Sequence, residues 1–268
     1  MQNKTKYLLI AIMAFIAGIA CEYVFMTDLW PNRHQTYTWI YALRNHKKPG
    51  EPCKTDQVLD RQGYSLGYSY KYKTALWVSY ILSSGSIGVP GERYGSFSTD
   101  QDIPEEYRAK PEDFANTGYD KGHLAPSATI DFSPKANQQT FILSNVVLQE
   151  PSLNRQGWEK IESLERDWTK TKGKLYVVTG PLFSARPQKV NGLSIPAQFY
   201  KVIYAYSAAK AIGFILPNKP VTKEDAWKYA LSVQEVEKET GLTFFSKFSA
   251  KTQQKLKETL DLAWWQQE

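Results

Sequence analysis

The chain has 268 residues, 42% of them hydrophobic and 14% aromatic, with a net charge of +6. That content excludes an intrinsically disordered chain and allows one fairly large domain, or one domain with a small appendage. The excess of 33 Lys and Arg over 27 Asp and Glu leans toward anionic partners such as nucleic acid or acidic lipid, a bias shared by many proteins that bind neither.

In chain order, Lys4 and Lys6 precede an apolar run from Tyr7 to Ala20 that ends at Cys21. A basic start and a run of this length predict an export signal over residues 1–26, or a short uncleaved anchor if the segment continues through Met26. A buried core helix is the competing reading. Gly18-Ile19-Ala20-Cys21 faintly resembles a lipoprotein cleavage box, with glycine where leucine is usual. Lysines ahead of the run favour a body outside the cytoplasm if the segment is an anchor. The body is therefore expected to be secreted, periplasmic or anchored facing outward, with membrane contact through residues 7–26. Cys21 and Cys53 are the only cysteines, which excludes a cysteine zinc cluster and a disulfide framework in the body.

Residues 27–55 carry Pro31, Pro49, Gly50 and Pro52 and the basic group Arg44, His46, Lys47 and Lys48, and read as a lead-in. Trp30, Tyr37, Trp39 and Tyr41 argue that part of it packs as a short helix or lies near a membrane surface. The folded body, residues 56–268, is expected to begin near Val58. Tyr64 to Tyr72 alternates tyrosine with small residues and predicts a strand, as does Thr74 to Leu82. Gly85 to Pro90 is turn-like. Gln139 to Val147 is extended or a short helix. Pro151 to about Asp167 reads as a helix with Trp158, Ile161 and Leu164 at helical spacing. Leu175 to Thr179 is a strand closed by Gly180-Pro181. Phe199 to Ala205 and Ala211 to Leu216 form a hairpin. Thr222 to Leu231 is a helix capped by Thr222. Ser232 to Thr240 is another, with Ser232 and Glu235 as a capping pair and Gly241 just past its end. A last helix spans Ala250 to Ala263. Strands and helices without strict alternation predict an α+β fold.

Two patterns carry chemistry. Tyr119 to Pro126 holds His123, the sole histidine of the last 220 residues. A neutral imidazole takes a proton from water near neutral pH, and Gly122 before it permits close backbone approach. Asp120 either orients the ring or serves a turn or salt bridge, and His123 itself could equally be a histidine satisfied in a turn. Asn154, Trp158 and Glu162, at i, i+4 and i+8, share a helix face. An amide oxygen and a carboxylate are hard donors suited to Mg²⁺. Taken alone, they read first as a helix cap and a solvated or salt-bridged residue.

Asp120-Lys121-Gly122-His123-Leu124-Ala125-Pro126, followed by Asn145, Gln149, Asn154 and Glu162, resembles the DNA/RNA non-specific endonucleases, the ββα-metal nucleases that include endonuclease G. Val177 to Pro181, Ile195-Pro196, Phe199-Tyr200-Lys201 and Glu237 to Phe245 resemble later landmarks, so the likeness runs over about 58 to 248. The resemblance implies a mixed or antiparallel central sheet flanked by helices. It implies Mg²⁺-dependent (alternatively Mn²⁺-dependent) hydrolysis of DNA and RNA by contacts to the backbone, leaving 5′-phosphate ends, in a monomer or homodimer. By resemblance His123 is the general base and Asn154 the direct metal ligand, with Glu162 holding metal-bound water. Asn145 positions His123 or the phosphate surroundings, and Arg93 and Lys121 face the phosphate. Lys121 departs from the family's usual arginine, which keeps the charge and loses the two-pronged donor geometry. The alternative is a non-catalytic, surface-anchored nucleic-acid-binding module, for example in DNA uptake.

Overall fold

The structure, a computed structural model, describes residues 46–84, 87 and 95–267. The expected signal or anchor, residues 1–26, lies outside the described residues, as do Arg93 and most of the Gly85–Pro90 turn. Among the described residues no helix is long and apolar enough to cross a membrane.

The strands are β1 (Gln57–Asp60), β2 (Ser65–Ser69), β3 (Thr74–Leu82), β4 (Asp120–His123), β5 (Val146–Gln149), β6 (Leu175–Leu182), β7 (Lys189–Val190), β8 (Leu193–Ser194), β9 (Gln198–Ala205), β10 (Lys210–Pro217) and β11 (Ala230–Leu231). The α-helices are α1 (Pro134–Thr140), α2 (Glu159–Thr171), α3 (Val233–Thr240), α4 (Ala250–Glu258) and α5 (Leu262–Gln266). A seven-stranded sheet runs in the order β1-β2-β3-β6-β9-β10-β11, antiparallel at every pairing. β4 and β5 form a separate antiparallel pair, and so do β7 and β8.

The central strands are buried on both faces because apolar residues occupy both registers. On one face Val78, Leu82, Val177, Phe199, Ile203 and Phe214 pack against Trp158, Ile161 and Trp168 of the segment around α2. On the other Trp77, Val178, Tyr200, Val202 and Ile215 meet Val233 and Val236 of α3, Leu256 of α4, and Phe244 and Phe245. The β4–β5 hairpin and α2 therefore sit on the first face, and the site is built there.

Several elements differ from the sequence reading. β6 continues through Gly180-Pro181 to Leu182, because β3 stops pairing at Thr179 while β9 pairs on to Gln198. Proline is tolerated where one side of a strand has no partner. The expected Thr222–Leu231 helix is a 3₁₀ segment, Glu224–Tyr229, that runs straight into β11. Thr222 still accepts from the Asp225 N–H. The Ala250–Ala263 helix is two helices, broken where Asp261 caps α5. The ordered body begins ahead of Val58. His46 is buried and accepts from the Ile81 N–H, and burial drives its pKa down to about 4. By contrast, Thr74–Leu82 and Ser232 with its Glu235 capping box and left-handed Gly241 form as the sequence predicts.

The segment leading to the site is pinned by a buried ion pair. Arg61 grips Asp100 at 2.6 Å, with both side chains under a tenth exposed. Asp100 also accepts from Ser144, next to Asn145. Removing one partner of a buried pair strands the other charge. Arg61→Ala is expected to lower unfolding free energy by about 3–5 kcal/mol, read from denaturant midpoints at constant m-value. A loss of less than about 1 kcal/mol would mean that the pair does not anchor this segment.

Candidate functional site

His123 ends β4, opposite Val146 of β5. Side chains alternate along a strand, so Lys121 and His123 share one face and Asp120 and Gly122 the other. The His123 ring packs against Phe97 and Phe141, with centroids 5.3 and 5.0 Å away, and those two rings also touch each other at 5.4 Å. The Lys121 ammonium lies 5.0 Å over the Phe97 ring, which holds a cation beside the imidazole. Gly122 is required by Gln149 across the hairpin, whose Oε1 would lie 2.2 Å from an added Cβ.

Asn145 fixes the turn after His123. Its Oδ1 accepts from the Ala125 N–H at 2.8 Å, and its Nδ2 donates to the carbonyls of Ala125 and Thr140. The Leu124 N–H donates to the Asn145 carbonyl. The side chain is fully buried and its hydrogen bonds all go to backbone. Asn145 is thus held against the turn that follows His123.

The second half of the site follows β5. Pro151 opens a helix that becomes a π-helix over Leu153–Trp158 before α2 begins. The Gly157 N–H donates to the Val221 carbonyl, outside the helix, and a Cβ at 157 would lie 2.7 Å from Val221 Cγ1. Loss of that N–H from the helical ladder and the close approach of Val221 account for the wider turn. Such turns recur at functional sites. The i, i+4, i+8 spacing of Asn154, Trp158 and Glu162 therefore spans a π turn as well as an α-helix.

Asp120 joins the two halves. Its carboxylate accepts from Arg155 Nε and Nη2 at 2.8 and 2.7 Å and from Asn154 Nδ2 at 2.9 Å. Burial works to raise its pKa, but these donors hold it below the usual carboxylate range. Asp120 thus serves a salt bridge, the second of its two expected roles. With its nitrogen tied to Asp120, the Asn154 amide keeps its oxygen as the available donor.

Glu162, on α2, is half-buried. Burial pushes its carboxyl up to about 7, against the opposing charge of Lys201. Among the described residues no group of three His, Cys, Asp or Glu could hold a metal. The donors here are one amide oxygen and one carboxylate, a set that water must complete. That fits Mg²⁺, which keeps several waters, and does not fit a structural zinc site.

Beneath this face lies a polar cluster that sequence periodicity does not reveal. Lys201 and Glu165 are completely buried and paired at 2.5 Å, and Tyr80 donates to the second Glu165 oxygen at 2.8 Å. Gln149 is also buried, with neither amide atom hydrogen-bonded among the described residues. Its place in the motif, four residues after Asn145, is the one signal that singles it out. The β7–β8 hairpin turns on Asn191-Gly192, both at positive φ, a dipeptide that marks such turns in sequence.

The model of the DNA/RNA non-specific endonuclease family matches residues 44–251. A nuclease of Syncephalastrum racemosum is 33% identical over 227 residues, 75% of this chain and 71% of that one. The mitochondrial endonuclease G of Bos taurus is 32% identical over 218 residues, 73% of each chain. A Nostoc nuclease is 27% identical over 94% of this chain and 96% of its own length. Among solved structures, a chain of the EndoG/EndoGI complex, which concerns the mechanism of EndoG inhibition, superimposes with a TM-score of 0.71 at 28% identity. It covers 78% of this chain and 93% of that one. The fold is thus the α+β, ββα-metal nuclease fold that the motif implies.

Asn145→Ala removes three hydrogen bonds from buried backbone and leaves the Ala125 N–H without its partner. The variant is expected to lose about 2–4 kcal/mol of stability in chemical denaturation. Faster amide exchange should appear at Leu124 and Ala125 before the rest of β4. Uniform exchange with native stability would remove Asn145 from this role.

Proposed function

The chain belongs to the DNA/RNA non-specific endonuclease family, and from that premise we propose that it is a Mg²⁺-dependent hydrolase of DNA and RNA phosphodiester bonds, leaving 5′-phosphate ends. The observation that carries the reading is the Asp120 tie, which joins the strand of His123 to the turn of Asn154. A base and a hard oxygen donor are thereby held on one strand–strand–helix unit.

His123, as general base, accepts a proton from the attacking water. The imidazole packs against the touching Phe97 and Phe141 rings, which limits the orientations open to it. Lys121, on the same face of β4, neutralises the phosphate, joined by Arg93 as the resemblance implies. Asn154 would hold the metal directly and Glu162 through water. When bound, that ion stabilises the charge that develops on the phosphate and the leaving oxygen. Contacts to phosphate and sugar carry no base code, so weak sequence preference follows. The export-type N-terminus supports a site of action outside the cytoplasm, with monomer and homodimer both compatible with the sequence.

The test combines plasmid DNA, single-stranded DNA and RNA with the protein in Mg²⁺, in excess EDTA, and as His123→Ala. Cutting is expected in Mg²⁺, absent in EDTA, and slowed about 10²–10⁴-fold in the variant. Binding to uncut DNA should persist in the variant and weaken as salt rises. Intact substrate in every lane from folded protein that still binds DNA would transfer the assignment to an anchored nucleic-acid-binding module.

A further inference from the structure

Lys201 and Glu165 each break an apolar pattern. Along β9, Phe199, Lys201 and Ile203 point to one face, and the residues either side of the lysine are core. Along the helix, Ile161 and Trp168 are core, and Glu165 falls in their stripe. Both side chains are 0% exposed. Burying two charges is expensive, and well-packed apolar residues in their place are often neutral or stabilising. Core stability alone therefore does not account for the pair.

Its surroundings do. The Lys201 ammonium is 2.5 Å from Glu165 Oε1 and 4.6 Å from the centre of the Trp158 ring. Trp158 lies between Asn154 and Glu162 in the chain and packs on Phe199 at 5.5 Å. Tyr80, from β3, holds the other Glu165 oxygen. Glu165 is also one turn beyond Glu162 on the same helix, and Glu162 feels the charges of both Lys201 and Glu165. Three elements, β3, β9 and α2, are thus locked at one point beside Trp158. Hydrogen-bond geometry and a ring contact are directional, whereas apolar packing lets a helix rotate or slide slightly at little cost.

We propose that the buried Tyr80–Glu165–Lys201 cluster is a positioning device that fixes the rotation and height of the Asn154–Glu162 segment and so sets the affinity of the site for its divalent ion. The proposal rests on the nuclease reading above. The three residues touch neither substrate nor reacting atoms, and they act through Trp158 and α2.

The experiment uses the full chain as wild type, as Glu165→Met with Lys201→Met, and as Tyr80→Phe. Mn²⁺ serves as the probe, with free ion counted by electron paramagnetic resonance in the absence of nucleic acid. Unfolding midpoint, kcat and KM on plasmid are measured alongside. The double variant removes both charges together and strands neither, although the Tyr80 hydroxyl loses its acceptor. It is expected to stay folded with a modestly lower unfolding midpoint and to keep its KM, while Mn²⁺ affinity and kcat fall about 10-fold or more. Native Mn²⁺ affinity and kcat in the folded double variant would overturn the proposal. If that variant does not fold, Tyr80→Phe decides. It keeps the ion pair, and about threefold weaker Mn²⁺ binding supports the proposal while unchanged binding overturns it. Failure of wild type to bind Mn²⁺ or to cut DNA would instead overturn the nuclease reading itself.

Discussion

The carboxylate of Asp120 ties the strand of His123 to the helical turn that follows its partner strand, and so joins the two halves of the site. It sits at the start of β4, and it holds both the guanidinium of Arg155 and the amide of Asn154 from the π turn. A hairpin and a helix can pack in many relative positions through apolar contacts alone. Charge-assisted hydrogen bonds with fixed directions admit far fewer. The amide is bound through its nitrogen, so the same contact that joins the pieces also decides which Asn154 atom remains for a ligand. Arg155 is largely exposed, and the bond therefore gains its value from geometry more than from net stability.

The rest of the scaffold protects that geometry with polar groups placed where apolar ones would be cheaper. Asn145 uses both ends of its amide on the turn after His123. Asp100 and Arg61 fix the approach of the segment that supplies Phe97. Lys201 and Glu165 pair beside Trp158, which lies between Asn154 and Glu162 in the chain. Each is buried and each departs from a simple hydrophobic pattern. Buried polar groups of this kind are tolerable only when their partners are satisfied, which makes their surroundings rigid. That rigidity suits a site with few protein donors, because a lean set leaves little redundancy if one of them moves.

What could be read in the sequence follows from how local each cause is. Thr74–Leu82 and the Phe199–Ala205 hairpin are legible because their apolar runs are continuous. The Ser232–Glu235 capping box is legible because it is complete within four residues. His123, Asn145, Asn154 and Glu162 are singled out by resemblance to the family motif, while their contacts are not legible there. The π turn needs Val221, some sixty residues on, to take the Gly157 N–H, and nothing near Gly157 signals it. The extension of β6 depends on where β3 and β9 stop pairing. Lys201 and Glu165 each interrupt an apolar pattern, but they lie on β9 and α2 and nothing local says that they meet. Thr222 accepts from the Asp225 N–H as its sequence suggests, yet Lys223 takes the cap position and the chain becomes 3₁₀ and then pairs as β11 with Gly213 and Phe214. Tertiary pairing overrides the local preference there.

Lys121 shows how this arrangement bears on recognition. Arginine would offer a planar fork to two phosphate oxygens, whereas lysine offers a compact charge with rotatable donors. Here the ammonium rests over Phe97, a ring that also flanks His123. The charge is thus held near the base by a contact without strong directional demand. On the proposed function, a point charge accepts a phosphate in more orientations than a fork does, and the strictness of the site then rests on Asp120, Asn145 and the Lys201 cluster, which fix the backbone around it. The division of labour is physical: tolerance where a varied nucleic-acid backbone must enter, and rigidity where the reacting groups must meet.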